Sequence, residues 1–92
     1  MPPFPREIVD EQRLRAELSK CGVSPKKLDD VIAGLRSTIA ARPEVFQREE
    51  QSGLSRIIIR EFLPDIPAIR IWFTFDEAKV YIEAVELLSM FL

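Results

Sequence analysis

The stretch Ala68-Ile69-Arg70-Ile71-Trp72-Phe73-Thr74-Phe75 decides the fold of this chain. Ile69, Ile71, Phe73 and Phe75 occupy every second position, with Arg70, Trp72 and Thr74 between them. A two-residue period sends the two sets to opposite faces of a β-strand. Working outward, Leu54 to Phe62 holds the triplet Ile57-Ile58-Ile59, whose β-branching also favours an extended backbone. Pro64 and Pro67 break the chain between these two runs. On the other side, Asp76-Glu77-Ala78 reads as a hairpin turn. Lys79 to about Leu88 then reads as a third strand, with Val80, Ile82 and Ala84 on one face and Tyr81, Glu83 and Val85 on the other. Glu86 to Leu92 contains good helix formers, so a helical ending is a second expectation for that segment.

Before the strands the period is helical. From Asp10, Leu14 and Leu18 stand four apart among charged residues, and Gly22 suits a left-handed helix end. Asp10 is placed to cap the first turn. A second helix opens with Ser24 as cap and Pro25 at the first helical position. Its apolar stripe is Leu28, Val31, Ile32, Leu35 and Ile39, running to Ala40-Ala41-Arg42 before Pro43 stops it. Pro2, Pro3 and Pro5 exclude helix at the start, and Arg6-Glu7-Ile8-Val9 reads as a short edge strand or an ordered arm. Burying one large apolar side chain contributes roughly 1.5–3 kcal/mol. The helix stripes and the apolar sheet face are therefore each other's natural cover. The expected fold is α+β, one domain over residues 1–92, with a helical hairpin packed on an antiparallel sheet of three to four strands.

Composition narrows the chemistry. The 92 residues carry 13 Lys and Arg against 15 Asp and Glu, a net charge of -2, which is not the basic footprint of a nucleic-acid binder. The single cysteine, Cys21, has no partner in the chain for a disulfide. With one thiol and no histidine, a zinc site would need carboxylates almost alone and the commonest proton-transfer group is missing; no metal and no cofactor is expected. No run approaches the roughly 18 apolar residues of a membrane span, and the opening lacks the apolar core of a signal peptide. A cytoplasmic protein without membrane contact is the resulting expectation.

The order helix, helix, Arg42-Pro43, Gly53, an extended run, Ile69-Arg70-Ile71-Trp72-Phe73-Thr74-Phe75-Asp76 and Lys79-Val80-Tyr81-Ile82 resembles the RelE/ParE superfamily of bacterial toxins over roughly residues 28–85. That resemblance implies a twisted antiparallel sheet with two helices on one face. It implies an antitoxin protein as partner, and as activity either ribosome-dependent mRNA cleavage or inhibition of DNA gyrase. Ribonuclease members carry basic residues on the sheet and after the last strand. Here no basic residue follows Lys79, and the last segment, Val85-Glu86-Leu87-Leu88-Ser89, is acidic and apolar. The positions matching the family's basic face are Arg70, most firmly, and Arg56 and Arg60 by position.

Three readings stand side by side. In the first, the chain is a toxin-type protein that acts by binding a protein target or its antitoxin. In the second, it is an mRNA endonuclease in which Arg56, Arg60 and Arg70 stabilise phosphate charge and Tyr81 transfers a proton. Tyr81 then needs a cation beside it, because an ordinary tyrosine pKa is about 10. In the third, it is a small interaction module, homodimeric through its last strand and apolar end. Trp72, Leu88 and Phe91 are the candidate partner-binding residues. The arginines also have a plain structural reading, as strand residues paired with Glu61, Glu83 or Glu86 on neighbouring strands.

Overall fold

The computed structural model describes residues 6–61 and 66–88. Arg6-Glu7-Ile8-Val9 does enter the sheet, as strand β1 (Glu7–Val9). The chain leaves it at Asp10, whose φ of 56° is a left-handed value that aspartate tolerates better than most residues. The Asp10 carboxylate accepts the Arg13 amide at 3.2 Å and so caps α1 (Glu11–Lys20) as expected. At its other end Gly22, φ 96°, closes the helix. The Val23 amide donates to the Leu18 carbonyl at 3.1 Å and the Gly22 amide to that of Ser19 at 3.0 Å, with Val23 and Leu18 both buried. This is the paired closure of a Schellman motif.

Helix α2 (Pro25–Ser37) starts at Pro25, but Ser24 contributes only its extended backbone, because its side chain makes no capping hydrogen bond. The helix stops short of Arg42. Thr38 Oγ1 donates to the Gly34 carbonyl at 2.7 Å, and the Ala40 amide reaches back to Leu35 O at 3.1 Å in a wide turn. Side-chain bonding of this kind competes with the helical ladder. Ile39, beyond the helix, is still buried.

Strand β2 (Ser55–Ile58) is shorter than the run Leu54 to Phe62, since Ile59–Glu61 tighten into a 3-10 turn. Strands β3 (Ile69–Phe75) and β4 (Lys79–Leu87) follow. The sheet has four strands in the order β1-β4-β3-β2. It is mixed, which corrects the antiparallel expectation: β1 runs parallel to β4, while β2–β3 and β3–β4 are antiparallel. The chain crosses from β1 at one edge through both helices to β2 at the other, a connection long enough to let β1 run in the same direction as its neighbour β4.

The facing of β4 also differs from simple alternation. Trp72 pairs with Ala84, but Phe73 pairs with Ile82, so Glu83 is the extra residue of a β-bulge. The bulge reverses the alternation along the strand. Val80, Ile82 and Val85 pack on the core, while Tyr81, Glu83, Ala84 and Glu86 belong to the outer face. Ala84 and Val85 therefore exchange the faces that strict alternation assigns them. The strand continues to Leu87, so the helical ending is not seen there, and residues 89–92 lie outside the described residues.

One layer of helix covers one sheet face. Leu14, Leu18, Val31, Ile32 and Leu35 meet Ile57, Ile69, Ile71, Phe73 and Val80, all buried. Phe73 is completely covered and takes Phe46 edge-on at 6.1 Å between ring centres. Phe75 shares the core parity but is exposed at the end of its strand, where the Arg6 guanidinium stands 5.7 Å from its ring centre.

Candidate functional site on the outer sheet face

The uncovered face of the sheet is built in rows by strand register. Ile58, Arg70 and Glu86 form one row across β2, β3 and β4; Arg56, Trp72 and Ala84 form the next; Thr74 and Tyr81 form the third. Strand register therefore brings Arg56, Arg70, Trp72 and Tyr81 to one face, which the two-residue period within each strand does not decide. Arg60 is not among them, because it sits on the exposed 3-10 turn after β2.

Glu86 is the hub of this face. Its Oε1 accepts the Arg70 Nε–H at 2.9 Å and the Trp72 indole N–H at 2.6 Å. Those two donors, the indole first, hold its carboxyl below the ordinary glutamate range. Trp72 is also a floor for cations: the Arg70 guanidinium lies 5.1 Å from its ring and that of Arg56 lies 5.9 Å away. Such contacts are worth about 0.5–1 kcal/mol each at exposed sites. Arg56 is held further by Gln47 Oε1 at 2.8 Å, from the loop that leads into β2.

Tyr81 is bound at the other end of the face. Its hydroxyl donates to Asp76 Oδ2 at 2.9 Å, and Asp76 Oδ1 accepts the amides of Ala78 and Lys79 at 2.8 and 2.7 Å. Asp76 thus shapes the β3–β4 turn, and those two amides hold its carboxyl below the usual range. The same hydrogen bond pushes the Tyr81 phenol up from its ordinary value. A general base or a readily ionised phenol needs a shift in the other direction.

Between the loop before β2 and the outer face lies a shallow groove of about 280 Å³. Trp72, Leu54 and Ala84 give it an apolar floor, and Glu49, Glu83 and Glu86 stand around it. Glu83 is itself engaged, accepting from Thr74 Oγ1 at 2.9 Å. Among the described residues no three His, Cys, Asp or Glu side chains converge as metal ligands. Cys21 lies away from this face at the α1 end; burial, then the Glu17 carboxylate, push its thiol up, so the thiolate is disfavoured. No helix among the described residues is long and apolar enough to cross a membrane.

The arrangement can recognise a ligand by stacking and ion pairing. Each arginine that remains on the face already has an acceptor, and the only tyrosine is held protonated. Of the residues named for partner binding, Trp72 is half-buried on this face, Leu88 is half-buried at the end of β4 with its amide on Ala68 O, and Phe91 lies outside the described residues. Glu86 and Asp76 are the members that strand periodicity leaves unmarked as site residues. The sequence offers Glu86 as a cross-strand partner and Asp76 as a turn residue, neither as a site residue. Comparison with protein-family models, with curated proteins and with solved structures finds no match to this chain.

Proposed function

We propose that this chain is a RelE/ParE-like protein of a toxin–antitoxin module that acts by binding, in the cytoplasm, with an antitoxin protein as partner and a protein such as DNA gyrase as target. The observation that supports this reading over the nuclease is the commitment of Glu86 to Arg70 and Trp72. A ribonuclease face needs fixed cations free to meet a phosphate, because their value comes from neutralising developing charge. An internal carboxylate 2.9 Å from the Arg70 Nε already serves that role. The raised phenol of Tyr81 speaks the same way. What remains on the face is Trp72 beside the ion pair of Arg70 with Glu86, and a half-buried tryptophan of this kind is suited to protein contact.

The test is induced expression in bacteria. Growth arrest with intact messages, relieved by a small neighbouring reading frame, is the expected result. Arrest with cut messages that Arg70→Ala abolishes would replace this reading with the ribosome-dependent endonuclease. A chain without effect on growth that sediments as a stable dimer would be the unrelated interaction module.

A further inference from the structure

Strand β4 has an edge that its neighbour does not cover. β1 pairs with it only from Lys79 to Tyr81, yet β4 runs on to Leu87. The left-handed Asp10 takes the chain out of the sheet and into α1 at that point. The direction of the backbone groups beyond it follows from one hydrogen bond. The Leu88 amide donates to Ala68 O at 2.8 Å, so Leu88, Glu86 and Ala84 turn their polar groups toward β3. Val85 and Leu87, in the alternate positions, turn theirs away. Among the described residues no strand pairs with β4 on that side beyond Tyr81.

A cleft of about 250 Å³ opens where β1 stops, between Asp10 and Arg13 on one side and Tyr81, Ile82 and Glu83 on the other. Toward the helices the edge is apolar: Ile82 and Val85 are half-buried, and Leu87 is 57% exposed. Toward the outer face it is acidic. Glu83 and Glu86 lie there, and only Glu86 is offset by an arginine, Arg70. On the α1 side Asp10, Arg13 and Glu17 line the adjoining crevice.

We propose that the β4 edge from Ile82 to Leu87 takes an extended segment of a partner protein as an added strand, apolar toward α1 and basic toward Glu83. Unpaired edges are ready templates for such addition, with main-chain bonds giving affinity and alternate side chains giving specificity. Charge argues against a second copy as occupant. Antiparallel pairing of β4 with β4 would gather Glu83 and Glu86 of both copies on the same outer face, and like charges facing each other across strands are destabilising. The proposal goes beyond the toxin reading and does not depend on it, since it concerns the shape and charge of the segment bound.

The test uses the full chain, isotope-labelled, with a synthetic peptide of alternating lysine and valine, three of each. Saturating peptide is expected to slow amide exchange at Val85 and Leu87 by about tenfold or more, as a new ladder would. Methylating the peptide nitrogens at one alternate set of residues should abolish this, and methylating the other set should not. A peptide with glutamate for lysine, or the exposed-site variant Glu83→Lys with the original peptide, should each weaken binding by about tenfold. Leu87→Pro should remove binding while the β3–β4 amides stay protected, because the lost donor points away from β3. The proposal is overturned if Val85 and Leu87 are already protected in the free chain or exchange unchanged at saturating peptide. It is equally overturned if both methylated peptides bind as well as the parent, or if sedimentation shows a dimer whose formation protects these amides.

Discussion

A single carboxylate decides what Arg70 and Trp72 are able to do. Glu86 draws both donors onto one oxygen, so the outer face presents a closed cluster, and of the carboxylates the sequence offered as partners for Arg70 it is Glu86 that takes it. Because its pKa is depressed in the fold, Glu86 contributes stability above the ordinary glutamate range and loses it as pH falls through the depressed value. Trp72 is the only tryptophan, so its emission should change over that acid interval, and Glu86→Gln should flatten the change. Tyr81 is likewise the only tyrosine. Its bond to Asp76 raises its pKa, so the contribution holds below the ordinary tyrosine value and is lost as pH rises through the raised one. In an absorbance titration the phenolate should appear above its usual pH, and Asp76→Asn should bring it back toward normal. If the titration of Asp76→Asn matched that of the parent chain, the hydrogen bond would not be the cause.

Among the elements, α1 and β4 carry the local devices. The α1 closure depends on Gly22 at φ 96°, where a side chain is strained by about 1–2 kcal/mol. A Cβ there would meet Pro67 Cγ at 3.8 Å, an ordinary contact, so the cost of Gly22→Ala is backbone strain alone. The urea midpoint should fall by the corresponding amount with an unchanged slope. The bulge in β4 was legible in part. Its apolar residues recur at Val80, Ile82, Val85 and Leu87, and the one spacing of three within a series of twos marks the reversal. Strict alternation overlooks this because Ala84 also counts as apolar. Deleting Glu83 should leave a regular ladder with Val80 and Ile82 still inward, and two-dimensional NMR should show their methyl groups in unchanged core environments.

For the whole molecule, one sheet face and two helices share a core, and among the described residues Phe73 is its largest fully buried side chain. Phe73→Ala should cost about 3–5 kcal/mol, against a total of about 5–15 for a domain of ordinary stability. Chemical denaturation should show the loss directly, and a chain that kept its midpoint would contradict this core. The two sides of the sheet differ in how their edges are covered. Segment 47–49 partly covers β2, where the Arg56 amide donates to Gln47 O at 3.0 Å and the Glu49 amide to Leu54 O at 2.8 Å. Beyond Tyr81, β4 has no such cover among the described residues.

Local physics sufficed for the elements themselves. The period of two around Arg70, the spacing of three and four in α2, and the caps at Asp10 and Gly22 are neighbour effects, so they can be read from adjacent residues. Strand order, the parallel pairing of β1 with β4 and the convergence of Arg70, Trp72 and Glu86 were decided only by tertiary structure. Those contacts join residues up to 72 positions apart, as Glu7 with Lys79 does, and which distant groups meet depends on how the whole core closes.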